Sequence, residues 1–424
     1  MTPRGAAKAL ACLAAAALAT AALSACGGGS DDSGPRELTW FVAIQPGGSI
    51  EKVAERCSKE SDGQYEVTPE FLPTDATQQR EQLVRRLGAE DPSIDIVGMD
   101  VIWTGEFANA GWVEEWKGQL KDQVTEGVFP NVIETASFEG KLYAAPFNTN
   151  TQLLWYRKDL VKKPPATWDE MIDQAEKLEE AGTIQVQANR YEGFMVWANA
   201  LIESAGTPIL SGPETVELRQ APTEKALEVM GRLANSSAAP PSLSTSDEDS
   251  ARLGFEAGES AFMTNYTFAY ASAQAEAPDI GKEMGFARFP RVDASKPSKP
   301  PLGGFNLAVS SFSKNKDVDF EAAACLANKE SQLTAVELDG LPPSRSDLYT
   351  NKVVTKAYPG FAGLVKESIE GAGPRPTTPA YQDVSLAVQR SLHPPDKIDP
   401  EDAGSIYDEL KSNLEDAVKR EGLL

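Results

Sequence analysis

The chain has 424 residues, 41% hydrophobic and 24% charged, with a formal net charge of -23 at pH 7. The composition is that of a soluble globular protein, and the length exceeds the roughly 250 to 300 residues at which one core stops growing, so two lobes or domains are expected. The acidity argues against nucleic acid or an anionic membrane surface as a partner, since both need Lys and Arg to neutralise phosphates, and it suits a neutral small ligand.

The first 25 residues read as an export signal. Arg4 and Lys8 precede an apolar stretch of about 15 residues, short for a bilayer span and right for a signal-peptide core. It ends in Leu23-Ser24-Ala25-Cys26, which looks like a bacterial lipobox, where Cys26 is lipidated and becomes the first mature residue. A plain signal peptide with small residues at its cleavage site is the alternative. Residues 26–35, mostly Gly, Ser and Asp, suit a flexible tether between a lipid anchor and a domain. Loss of residues 1–25 removes two cations and no anions, leaving a charge of -25.

Strand and helix then alternate. LTWFVAI (38–44) and YEVTPEFLP (65–73) read as strands, with a helix between them that ends near Glu60. TQQREQLVRRLGA (77–89) carries Leu83, Val84 and Leu87 on one face and charges opposite, and IDIVGMD (94–100) is apolar enough for a strand buried on both faces. This alternation predicts a parallel, doubly wound α/β sheet, whose ligand crevice lies beyond the carboxyl ends of the strands, where Gln45 and Asp100 stand. A capping box at Thr167 and Glu170 opens the next helix. Further helices are predicted over 191–206, 223–236, 317–331, 380–392 and 405–421, with strands over 259–266, 284–290 and 305–310. Between the strand-like runs LYAAPF and LLWYR lies a polar knot, Asn148 to Gln152, with no Gly to turn the chain.

Beyond Cys26 the mature chain keeps Cys57 and Cys325, each in a predicted helix. In an exported protein such a pair favours a disulfide over two buried free thiols. A bridge would make neighbours of residues 268 positions apart, so the chain would leave one lobe and re-enter it.

Catalytic constellations are mostly missing. The single histidine, His393, precedes two prolines and reads as a surface loop residue, so there is no Ser-His-Asp triad, HExxH or Cys/His zinc site. Nor is there a P-loop or a GxGxxG after a strand. With 63 acidic residues, a glycosidase using paired carboxylates stays open, as does a cell-surface interaction module. Aromatic and amide residues gather near predicted strand ends: Gln45, Trp103, Asn148, Asn150, Trp155, Trp197, Asn199, Asn265 and Tyr266. Rings stack on the C–H faces of sugars and planar amides bond their hydroxyls; core or turn roles explain any one of these residues better, and only their clustering at strand ends brings a sugar site level with that reading.

The blocks LPTDATQQREQLVRRL, DIVGMDVIWTGEFANAGW, KLYAAPFNTNTQLLWYRKDL, YEGFMVWANALIESAGT, GGFNLAVS, GLPPSRSDLY and RPTTPAYQDVS resemble, in order, a cluster of sugar-binding lipoproteins that serve ABC importers, above all its trehalose-recognising mycobacterial branch. The resemblance implies a two-lobe periplasmic-binding-protein fold, each lobe a mostly parallel sheet flanked by helices. The first lobe would hold residues 36–147 and 302–347, the second 151–298 and 350–424, with hinges near 148–150, 299–301 and 348–349. It implies a cleft that closes on an α-linked disaccharide without metal or cofactor, permease and ATPase subunits as partners, a membrane link through the lipid alone, and a monomer. Its cysteines match Cys57 and Cys325, which adds weight to a disulfide. Carried over by position, Gln79, Asp100 and Asn150 would hold glucosyl hydroxyls, Glu248 would be an acidic second-lobe contact, Gly303 and Gly304 a glycine turn reaching the ligand, and Arg375 a cationic donor. An ordinary inter-lobe ion pair is the alternative for Arg375. Tyr266 departs from the pattern, which has Trp there; it still stacks on a pyranose, with less area and an added hydroxyl.

Overall fold

The computed structural model describes residues 34–73 and 75–419; the predicted signal peptide and Cys26 lie outside them. The chain enters through β1 (Arg36–Ala43), β2 (Tyr65–Leu72) and β3 (Ile96–Asp100), with β1 parallel to both others in the order β3-β1-β2. Their connecting helices, Ser49–Glu60 and Ala76–Gly88, follow from pattern and capping. The first buries Ile50, Val53, Ala54 and Cys57 at helical spacing, and the second starts where the Asp75 carboxylate accepts from the Gln78 amide at 2.9 Å. Ile96, Val97 and Met99 are fully buried, as a strand covered on both faces requires.

A small hairpin, β4 (Ser137–Phe138) with β5 (Lys141–Leu142), precedes β6 (Ala145–Asn150), which belongs to the first sheet. One residue later the chain is in the second sheet: β7 (Gln152–Arg157) joins β8 (Thr183–Gln185), β9 (Ser260–Tyr266) and β10 (Met284–Ala287) in the order β10-β7-β9-β8. It returns through β11 (Pro301–Val309), antiparallel to both β3 and β6, and β12 (Gly373–Pro374) adds to the edge of β11. The fold is thus an α/β two-lobe periplasmic-binding-protein fold. The second sheet departs from the expected parallel pattern, with β7 antiparallel to both neighbours and only β8 and β9 parallel. The cause is connectivity: β9 lies between β7 and β8, so these strands are not successive βαβ units.

Three local expectations need correction. The predicted glycine turn is not a turn: Gly303 and Gly304 lie inside β11, paired with Asn150 and Thr149. Gly304 has φ +134, and a Cβ there would stand 2.3 Å from the Asn148 carbonyl oxygen, so the two crossing strands approach this closely only at glycine. The helix predicted over 317–331 is two helices, Lys316–Leu326 and Lys329–Asp339, because Asn328 caps the second through the Ser331 amide. The capping box at Thr167 is half made: its hydroxyl accepts from the Glu170 amide at 3.1 Å, while the Glu170 carboxylate accepts from the Ala166 amide.

Cys57 and Cys325 are disulfide-bonded, with Cα atoms 5.9 Å apart, and tie the helix Ser49–Glu60 to Lys316–Leu326. The bridge joins the first excursion of the chain to its return after β11. Among the described residues no helix is long and apolar enough to cross a membrane.

Candidate functional site

The polar knot occupies the crossing between the sheets. Asn148 is buried, and its amide is spent on the crossing itself: Oδ1 accepts from the Phe305 amide at 3.2 Å and Nδ2 donates to the Thr149 carbonyl. Thr149 adds a hydroxyl bond to Gly303 O at 3.2 Å, and its amide donates to Pro342 O. Asn150 is half-buried; its Oδ1 accepts from the Thr151 amide at 3.1 Å. Asp100 ends β3 opposite Phe305, and Val101 N donates to Gly304 O at 3.2 Å, so the end of β3 and the crossing share one border.

Arg375 links the two sides of this border. It follows directly on strand β12, which the Gly373 amide holds to Pro300 O, and its guanidinium lies 2.7 Å from Glu192 Oε1 and 3.3 Å from Asp100 Oδ1. Burial opposes its charge, but Tyr381, Asp100, Glu192 and Tyr266 together hold the guanidinium well above its ordinary pKa. Glu192 also accepts from the Tyr381 hydroxyl, and from Ser385 Oγ at 2.7 Å. Gly105, in the short helix Thr104–Asn109 that follows β3, lies against the Thr378 backbone, where a Cβ would come within 3.1 Å, so this helix meets the segment after Arg375 with no side chain between them.

Glu192 and Glu248 reach the site by the same device. Each is the first residue of a helix, Glu192–Ala205 and Glu248–Glu256, and a carboxylate at a helix N-terminus is favoured by the helix dipole. The first helix is largely apolar and buried except at Glu192 and Glu203, which fixes Glu192 at its open end. The second starts from a full capping box, with Asp247 and Ser250 exchanging hydrogen bonds at 2.8 Å. Tyr191 joins the pair by donating its hydroxyl to Glu248. Burial raises the Glu248 carboxyl above its usual range, against the opposing effect of that hydroxyl. Tyr266 ends β9 beside these groups; burial first, then the Glu248 charge, push its phenol up. Asn265 sets both in place, its Nδ2 donating to Glu248 O and its Oδ1 accepting from Tyr266 N, each at 2.9 Å.

The structure therefore gathers Asp100, Glu248, Tyr266 and Arg375 into one electrostatic cluster beside Asn150, Gly303 and Gly304. Gln79 is buried in the helix Ala76–Gly88, next to Arg80, whose guanidinium is paired with Glu106 at 2.6 Å. Gln45 stands in the loop after β1, where Gly47 N and Ser49 N donate to Asp339. No hydrogen bond or ion pair among the described residues ties the Gln45 side chain to the cluster. Trp103, Trp155 and Trp197 are at most 2% exposed and belong to the core, so they are not stacking surfaces. Glu192, Tyr191, Tyr381 and Ser385 were missed. The available signal was position: Tyr191-Glu192 opens an otherwise apolar helix, and Tyr381 and Ser385 sit one and two turns beyond RPTTP.

A two-lobed protein whose charged and aromatic groups converge where the lobes meet is a ligand receptor in form. The chain belongs to the bacterial extracellular solute-binding protein family, which matches residues 44–333. It is a binding protein and not an enzyme, which removes the glycosidase alternative. A probable ABC transporter-binding protein of Deinococcus radiodurans is 29% identical over 335 residues, covering 73% of this chain and 76% of the relative. The diacetylchitobiose binding protein DasA of Streptomyces coelicolor is 24% identical, covering 78% and 80% respectively. Among solved structures, maltose-bound T. maritima MalE3 superposes with a TM-score of 0.78 at 24% identity, over 89% of this chain and 98% of that one. The GacH receptor of Streptomyces glaucescens, solved unliganded and with acarbose, gives 0.73 at 20% identity, over 91% and 98%. These likenesses establish the fold.

Proposed function

We propose that the protein is the lipid-anchored, extracytoplasmic receptor of an ABC sugar importer, and that it takes an α-linked disaccharide, trehalose first, into the inter-lobe cleft. The family match and the sugar ligands named for its relatives support the class. The observation that carries the reading is Arg375, reaching Glu192 on one side and Asp100 on the other. A ligand that bonds Asp100 and Asn150 from one lobe and Glu248 and Tyr266 from the other stabilises the closed form by its differential contacts. Charge-assisted bonds from hydroxyls to carboxylates are strong in such a water-poor cleft. The closed form then docks on the permease pair, which hands the sugar on at the cost of the ATPase's ATP. Cys26 carries the lipid, and the tether gives the lobes reach.

Calorimetric titration with trehalose, maltose, sucrose and a trehalose analogue tests this, with recovery of unaltered sugar afterwards. Tight binding of trehalose supports the proposal. Preference for maltose, the ligand named for one similar structure, would move the assignment to another α-glucoside. No binding or thermal shift across the panel would overturn the sugar reading, because a saturating ligand stabilises its receptor by about 3 kcal/mol at a hundred times Kd. Radiolabelled palmitate on the wild type, and its loss in Cys26→Ala, tests the anchor.

A further inference from the structure

The charges of the cleft do not balance, and the imbalance, which rests on the sugar-receptor reading above, narrows the ligand class. Three carboxylates, Asp100, Glu192 and Glu248, surround Tyr266 together with one guanidinium, that of Arg375. Arg375 is already committed to Glu192 and Asp100. Two of its five N–H groups are spent there, and Nε is buried with no hydrogen-bond partner among the described residues, so what it still offers a ligand are donors on a cation that two carboxylates already balance. Glu192 is saturated by Arg375, Tyr381 and Ser385.

Among the described residues Glu248 makes no ion pair. Its hydrogen-bond donors, the Tyr191 hydroxyl and its own backbone amide, are neutral, and the charged neighbours that bear on it most are Asp247 and Asp249, both negative. The helix N-termini at Glu192 and Glu248 offset about half a charge each, which still leaves the cleft negative. Both hydrogen bonds given to the Asp100 carboxylate, from Ile102 N and from Arg375, fall on Oδ1. Nor is any group of three or more His, Cys, Asp or Glu among those residues arranged to hold a metal ion. The raised carboxyl of Glu248 fits an anion short of a counter-charge.

We infer that the cleft selects its sugar by charge: it admits neutral glycosides, favours those with an ammonium group beside Glu248, and rejects phosphorylated or carboxylated ones. An ammonium donates to the same acceptor as a hydroxyl and adds charge assistance. The cost of desolvating it offsets part of that gain, so the preference is on the order of fivefold. A phosphate brings a negative charge among uncompensated carboxylates, where each close charge pair costs about tenfold or more at the effective dielectric of a partly buried site.

The test titrates the full chain with the neutral disaccharide that binds best, its amino-deoxy analogues at the 2 and 6 positions, and its 6-phosphate, at low and high salt. Support is a phosphate at least 100-fold weaker than the parent and at least one amino analogue as tight or tighter, with the gap narrowing in salt. Glu248→Gln separates charge from shape: it should shrink the ratio between amino and phosphate analogues by tenfold or more, whatever it does to the parent. A phosphate that binds within threefold of the parent overturns the inference, and so does a ratio unmoved by Glu248→Gln. If the neutral parent itself does not bind, the sugar-receptor reading is what has failed.

Discussion

Replacing Glu192 by Gln keeps the shape of the site and removes one charge. The amide oxygen can still accept from Arg375 and Tyr381, and the amide nitrogen can donate to Ser385, whose hydroxyl accepts as well as donates. Asp100, at 3.3 Å, is then the remaining counter-charge in contact with a guanidinium only 9% exposed. Two unit charges about 4 Å apart interact by about 4 kcal/mol at an effective dielectric of 20, and retained hydrogen bonds and regained solvation offset roughly half of it. Arg375 should therefore swing towards Asp100, and an incoming sugar must compete with Arg375 for that carboxylate. The expected loss is about 1.4 to 2.8 kcal/mol, or roughly 10- to 100-fold in affinity for the sugar that binds the wild type. Calorimetry measures it, with circular dichroism as the check on folding. An affinity within twofold of wild type at an unchanged melting temperature would refute the claim that Glu192 positions Arg375.

Three further outcomes are expected. The double variant Cys57→Ser/Cys325→Ser should lose about 5 kcal/mol on a chain-entropy estimate for a bridge of sequence separation 268; an unchanged melt would show that the bridge adds no stability. Gly304→Ala puts a Cβ against the Asn148 carbonyl at φ +134 and should cost at least about 3 kcal/mol in urea unfolding, whereas a cost under 1 kcal/mol would mean that the crossing is slack. Asp319 is fully buried, and burial first, then the Asp95 charge, raise it from 3.8 to about 7 against the opposing effect of the Ser313 hydroxyl. The folded state therefore binds the proton more tightly than the unfolded one, so wild-type stability falls as pH rises through the interval from 3.8 to about 7. Asp319→Asn should stabilise the protein by about 1 to 3 kcal/mol at pH 8 and much less at pH 4, and equal effects at both would rule out that titration.

Much of this was written locally. The apolar run ending at Asp100, the helix ending near Glu60 and the amphipathic stretch 77–89 are specified by neighbours a few residues away, and the structure keeps them within a residue or two of expectation. The cysteine pair was legible because export and an even count leave few alternatives. What the sequence left open is which polar groups meet. Asn148 and Asn150 look alike along the chain, yet only the pairing of β6 with β11 spends the amide of one on the crossing, while the other accepts from its neighbour Thr151. Strand-end tryptophans looked like stacking surfaces until the helices covered them.

The sequence by itself determined the α/β alternation and the strand end that carries Asp100, because periodicity, caps and composition act over short spans; it favoured the Cys57–Cys325 bridge, which the structure makes. Tertiary structure alone decided the mixed second sheet, the glycines paired inside β11 and the charge cluster. Arg375 meets Asp100 across 275 residues and Glu192 across 183, so its role follows from strand order and helix placement, which no local pattern encodes.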